Sequence, residues 1–421
     1  MCCRQASLLE LVCLAVLAIL SSPSNSYAQD PVPPTKTSAT ASSDDTYNAQ
    51  RKFAIDLFQQ NHHLEALPIF QQLAKQKPDD NAVIFGWGAC LLDHSATLTD
   101  DQAAKEERIQ ARKLLVRAKE LGNNNQLLLN LLEMLPEDGG LVFDKNTEVD
   151  KAIRDGEAAF AKNDYDTAIV AYTRAYTLDP KQYHAILFIG DAYFSKKDFS
   201  NATVWYDRAI QLDPNIDAAY RYEADMLIRN GEMEKARTRA IQAVIAVPYS
   251  NVTWRSLIAW ADANHVKLTP VRINAASGAS AADDKHIKIT IDPSKGTDSS
   301  SVWLGYQMSR ALWQMETFKK TLPSETQYRH SLAEEADSLK AAASVAESNS
   351  KKSKNVATAD PDIALLVRIY DAKMIEPYVL LSAPDQGIAA DYVAYRERHR
   401  EQLEQYLSQF IVPAAPAPAK H

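Results

Sequence analysis

Residues 183–216 read YHAILFIGDAYFSKKDFSNATVWYDRAIQLDPNI, and the residues before and after them repeat the plan with a period of 34. Gly156, Gly190 and Ala224 share one phase. Ala168, Ala202 and Ala236 share a second, Ala175, Ala209 and Ala243 a third, and Pro180, Pro214 and Pro248 a fourth. Each unit has an apolar-periodic helix A, a tight polar turn and a helix B. The turns are Lys162-Asn163-Asp164, Lys196-Lys197-Asp198 and Asn230-Gly231-Glu232. Each unit closes on its proline, because proline cannot continue a helix and pushes its predecessor out of the helical region. The small residues predict close helix approach. Tyr165 and Tyr172, then Phe199 and Tyr206, predict the filling between helices. In the third unit these become Met233 and Ala240, a thinner packing.

Gly190, Ala192, Tyr193, Phe199, Ala202, Tyr206, Ala209 and Pro214 carry a family resemblance. They fall where the 34-residue tetratricopeptide repeat wants small, aromatic and proline residues. The resemblance implies an α-solenoid of helical hairpins over 47–264, with its best units at 149–182, 183–216 and 217–250. It extends to a helical pair at 47–80, and to a second pair at 81–121 interrupted by a longer loop near 93–101. It ends on a further helix A at 251–264, with Trp254 at the pattern's tryptophan position.

It also implies a concave groove lined by helix A, whose expected lining has an acidic row, Glu157, Asp191 and Asp225, and an apolar row, Phe160, Phe194 and Ile228. Arg154, Arg221 and Arg229 flank these, with Phe188 and Tyr222 between. Apolar anchors would supply most of the binding energy, and the acidic row would select basic or amide-rich partners. Ile153 and Leu187 stand where some family members place a carboxylate-clamping lysine or asparagine, which argues against recognition of chaperone tails. The groove's alternative occupant is the chain's own C-terminal helices.

Only 12 glycines in 421 residues, with 46% hydrophobic and 24% charged, describe a soluble, helix-rich chain. A net charge of −8 without a basic block interleaved with aromatics excludes a general nucleic-acid binder. At the N-terminus, Arg4, an apolar run at 11–20 and Ser26-Tyr27-Ala28 resemble an export signal over 1–28 cut before Gln29. An uncleaved membrane anchor is the alternative. Cleavage would remove Cys2, Cys3 and Cys13 and leave Cys90, on an apolar helical face, as a core residue. Residues 29–46 read as a disordered spacer rich in Pro, Ser and Thr, and 411–421 as a disordered tail.

The pattern changes after Asn264. Residues 270–274 and 286–291 alternate with period two and predict a small β-hairpin. The rest of 265–410 reads as α-rich. An aromatic helix spans 301–321. Ser324 with Gln327 predicts the cap of a helix reaching about 347. Asp360-Pro361 opens another helix, which Pro377 should kink or divide, and a last helix runs over 387–410.

No HExxH, paired CxxC, GxSxG or phosphate loop occurs, and no cofactor or metal is implied. His62-His63 reads as a solvated turn, and His330 with Glu334, one turn apart, as a surface ion pair. These readings converge on a mainly α, exported, non-enzymatic scaffold binding a protein or peptide in the periplasm or cell envelope of a Gram-negative-type bacterium. A C-terminal catalytic domain and a self-assembling structural protein are the alternatives.

Overall fold

The computed structural model describes residues 43–414 apart from 60–61, 96, 99, 141, 276–278, 284–285, 290–295 and 353–359. The signal-like segment, most of the spacer and the end of the tail lie outside the described residues. The described chain forms two compact units, one ending at Val266 and the other beginning at Lys267.

The first unit is a helical-repeat solenoid. It opens with α1 (Ser43–Gln59), α2 (His63–Gln76), α3 (Asn81–Ser95), α4 (Asp101–Glu120) and α5 (Gln126–Met134). Helix α1 starts inside the stretch read as spacer. Asp44 in its first turn pairs with Lys77 at 2.9 Å. Three hairpins follow: α6 (Thr147–Ala161) with α7 (Tyr165–Leu178), α8 (Tyr183–Ser195) with α9 (Phe199–Leu212), and α10 (Ala218–Arg229) with α11 (Met233–Ala246). α12 (Asn251–Ala263) is a fourth helix A.

The turns carry the period as backbone geometry. Asn163, Lys197, Gly231 and His265 recur at the repeat period and all have positive φ, at 59°, 65°, 79° and 55°. In each turn the N–H that follows reaches back five residues to a helix A carbonyl, as from Asp198 to Tyr193 at 2.9 Å. This left-handed C-cap satisfies the carbonyls a helix end would leave open. In the first two turns that following residue also opens helix B. Asp164 accepts from the Thr167 N–H and Asp198 from the Asn201 N–H, so one turn ends a helix and caps the next.

Inside the first two hairpins a helix B aromatic seats on a helix A glycine. A Cβ on Gly156 would lie 2.3 Å from the Tyr172 ring, and one on Gly190 2.8 Å from the Tyr206 ring. Both tyrosines are fully buried. Gly88 allows α4 a similar approach, since a Cβ there would lie 3.2 Å from both the Leu115 side chain and the Ala111 carbonyl. The third hairpin has Ala240 where the tyrosine would stand, and ionic ties add to its apolar packing. Arg239 on α11 meets Glu223 on α10 at 2.6 Å and Asp207 on α9 as well. Burial pushes the Glu223 carboxyl up to about 7 against the pull of Arg239. Trp260 of α12 then closes the array, fully buried, donating to the Met233 carbonyl at 2.8 Å.

Cys90 is buried in the core of the first helices, and burial pushes its thiol pKa well up. His63 departs from expectation. It opens α2 as a buried residue, with Nδ1 3.0 Å from Asp93 and Nε2 3.1 Å from the Phe58 carbonyl.

In the second unit, the hairpin expected between 270–274 and 286–291 is not formed. Residues 270–274 are not in a strand, and two of their N–H groups go to side chains: Ile273 to the Tyr378 hydroxyl and Asn274 to Asp362. A different pair, β1 (Ala279–Asp283) and β2 (His286–Ile289), is antiparallel, with Ala279 opposite Ile289. Period-two alternation marks a segment suited to pairing without saying what it pairs with.

The helices of this unit are α13 (Gly296–Leu312), continued through a π-helical turn at 313–317 into α14 (Phe318–Thr321), then α15 (Leu332–Lys352), α16 (Pro361–Asp371), α17 (Ile375–Ser382), α18 (Gln386–Ala389) and α19 (Tyr392–Tyr406). The cap of α15 is Ser331 and not Ser324: its hydroxyl accepts from the Glu334 N–H at 3.2 Å. The division expected at Pro377 lies just before it, where Lys373 turns left-handed at φ 59°. Asp360 caps α16 with Pro361 in its first turn. The single helix expected over 387–410 is interrupted at Ala390-Asp391 and ends in a π-helical turn at 407–411.

The glycine seat gives a graded test. Tyr206→Ala is expected to cost about 3–5 kcal/mol by opening a cavity, and Tyr206→Phe, which keeps the ring but removes the hydroxyl that donates to the buried Asp191, about 1–3 kcal/mol. Chemical denaturation measures both, and equal losses would contradict the seat.

Candidate functional site

The helix A residues expected to line a groove divide into two groups. Those in the first group turn inward. The Tyr172 hydroxyl donates to Glu157 at 2.5 Å and the Tyr206 hydroxyl to Asp191 at 2.8 Å. The spacing is 15 residues in both, so the acidic row completes the tyrosine seat. Asp191 is buried, which corrects its reading as a partner-facing residue. The third hairpin has no tyrosine to hold, and Asp225 there meets Arg229 at 3.3 Å.

The apolar row closes the hairpin turns. Phe160 lies edge-on to Tyr165 at 5.2 Å and Phe194 against Phe199 at 6.1 Å, both buried. Phe188 is covered by Tyr172 and Phe143, and Tyr222 is buried with the Arg221 guanidinium 5.4 Å from its ring. Phe160, Phe188, Phe194 and Tyr222 are thus packing residues. An aromatic on helix A serves the interior as readily as a ligand, and periodicity alone does not separate the two.

The second group reaches solvent. Arg154 and Arg229 are exposed, and Asp225, Ile228 and Arg221 partly so. Arg154 is steadied by Asp150 at 2.6 Å and Arg221 by Asp217 at 2.5 Å. The Arg229 guanidinium lies 5.5 Å from the Phe194 ring, joining the third hairpin to the second.

The connector before α6, which in the sequence reads only as a break, also lies against this face. Phe143 donates its N–H to Asp150 at 2.7 Å and accepts at its carbonyl from Gln182 at 2.9 Å. Its ring stands edge-on to His184 and Phe188 at 6.1 and 6.0 Å. Its one sequence signal is the apolar trio Leu141-Val142-Phe143 after Gly139-Gly140.

The second unit holds a dense ionisable cluster. Arg310 meets Glu334 at 2.8 Å and Glu335 at 3.0 Å. Tyr306 donates to Glu335 and Tyr328 to Glu334. His330 bridges Asp385 at 2.6 Å and Glu335 at 3.0 Å. This corrects the expected surface pair: His330 binds Glu335 rather than Glu334, and Glu334 is fully buried. Next to it, Arg329 pairs with Glu325 and Asp391. Among the described residues no group of His, Cys, Asp and Glu is arranged to hold a metal ion, and no helix is long and apolar enough to cross a membrane.

Burial and the Arg310 charge oppose protonation of His330, but its bonds to Asp385 and Glu335 outweigh them and push its pKa up to about 9. A group held above its ordinary pKa stabilises the fold fully below that ordinary value and loses the contribution as pH rises through the folded one. Stability is therefore expected to fall between pH 6.5 and about 9. His330→Gln should flatten that part of the Tm profile, and parallel profiles for the two chains would exclude the imidazolium.

Residues 159–222 match the tetratricopeptide repeat family model. No curated protein matches the chain. Among solved structures the chain is similar to YrrB, a TPR protein with an unusual peptide-binding site, at 15% identity and TM-score 0.24, covering 49% of this chain and 90% of that one. It is similar to the P58(IPK) TPR domain at 12% identity and TM-score 0.25, covering 86% and 97%. Similarity to yeast Tom70 is at 12% identity and TM-score 0.29, covering 82% and 69%. The matched span runs from the end of α6 into α10, and the left-handed turns continue in phase on either side of α8 and beyond α10; the chain carries tetratricopeptide repeats in its helical-repeat solenoid.

Proposed function

We propose that this protein is a non-enzymatic interaction scaffold, exported to the periplasm or cell envelope of a Gram-negative-type bacterium, that grips a segment of a partner protein along its helix A face. The observation that carries this reading is the division of labour on that face. Tyrosine seats and hairpin contacts absorb Glu157, Asp191 and the phenylalanines. Arg154, Asp225, Ile228 and Arg229 still reach solvent on the same helices.

An aliphatic residue flanked by charges of both signs suits a partner segment with one apolar anchor and polar neighbours. The anchor supplies affinity and the charges supply register. Repeats that contact only their neighbours leave such a face extended and accessible. In the second unit, the ionisable cluster satisfies its groups mutually, which favours a structural role over a catalytic one. The export reading rests on Arg4, the apolar run at 11–20 and Ser26-Tyr27-Ala28.

The double variant Asp225→Lys, Arg229→Glu tests the face. Crosslinked partner capture from envelope extract is expected to drop at least about tenfold, with stability lowered by no more than about 1 kcal/mol, the worth of an exposed cation–π contact such as that of Arg229 with Phe194. Undiminished capture would sink the reading. The export part has its own check: the chain isolated from cells should begin at Gln29, and an intact Met1 would contradict cleavage.

A further inference from the structure

Residues 142–144 are held in the manner of a ligand. The central one, Phe143, has both backbone groups bonded to side chains of the repeat array: its N–H to Asp150, its carbonyl to Gln182. The Gln182 amide also reaches the Asp144 carboxylate at 2.9 Å. Asp150 and Gln182 are both buried. Side chains that satisfy a backbone N–H and C=O are the means by which a groove holds a peptide irrespective of its remaining sequence. The Phe143 ring adds the specificity, lying against His184 and Phe188. Arg154, on the solvent-reaching part of the face, takes the other oxygen of Asp150 at 2.6 Å.

We infer that the N-terminal ends of α6 and α8 form a subsite for a segment with an aromatic residue followed by an acidic one, and that residues 142–144 occupy it as an internal competitor. This rests on the helix A face being the binding face, and it names the partner chemistry and a regulation of that face. A partner segment with the same aromatic-acidic pair displaces Phe143 and Asp144. Because the internal segment competes at the high effective concentration of a short tether, its removal raises the affinity for a partner segment without any new contact.

The probe is a labelled synthetic peptide of residues 140–147 (GLVFDKNT) titrated by fluorescence anisotropy into the full chain. The Phe143→Ala chain is expected to bind it at least about tenfold more tightly than the unaltered chain. Adding Gln182→Ala should cancel that gain, and a peptide with alanine in place of its phenylalanine should not bind. Equal binding by the first two chains, or none by either up to millimolar peptide, overturns the inference. If Phe143→Ala loses helical circular dichroism, Asp144→Ala replaces it, with about a threefold gain expected and no gain counting against the inference. Failure here with partner capture still sensitive to Asp225 and Arg229 removes the internal competitor alone. Failure of both removes the binding face.

Discussion

The tyrosine of helix B, lodged against a glycine of helix A and tied by its hydroxyl to a helix A carboxylate, is the contact on which the repeat array depends. It combines three requirements at one place. Glycine lets the helices approach, the ring fills the space, and the acid keeps a buried hydroxyl from losing its hydrogen bond. At Gly156, Tyr172 and Glu157, and again at Gly190, Tyr206 and Asp191, all three are met. Where Ala240 removes the ring, the chain changes chemistry and ties neighbouring helices through Arg239, Glu223 and Asp207. Removing Arg239 would be costly, because the buried Glu223 carboxylate would be left without this compensation.

The same contact explains how little of the helix A face is left for recognition. Asp191 and the rings of Phe160, Phe188, Phe194 and Tyr222, drawn into seats and turns, are lost to the surface. The proposed recognition therefore draws on the positions next to the seats and on the place where the connector before α6 is laid down. The second unit follows another logic. It has no period, and its centre is held by a histidine, an arginine and three carboxylates bonded to one another.

Much of this architecture is legible in the residues. The rows of small residues, the prolines and the polar turns locate the hairpins, since each reflects a local steric demand that the repeat multiplies. The seats at Gly190 and Tyr206 are legible for the same reason. The fate of Asp191 is not: an acid one position after a glycine reads identically whether it faces solvent or a tyrosine hydroxyl. Nor is that of 270–274, where alternation suggests a strand while the hydrogen-bond acceptor for Ile273 lies 105 residues away in Tyr378. Ser331 and Ser324 both begin a Ser-x-x-Glu/Gln pattern, and only packing of the intervening turn chooses between them.

The left-handed residues at 163, 197, 231 and 265 bear on engineering. They mark the same geometric point in successive hairpins, and the last recurs beyond the regular repeats, after α12. A cut made at any two of them excises a cassette whose ends present matching backbone directions. Since each hairpin answers only to its neighbours, modules joined at these points inherit the register of the array from the turn itself. Length could then be added or removed in whole units, with the seats rather than the loops deciding which modules are compatible.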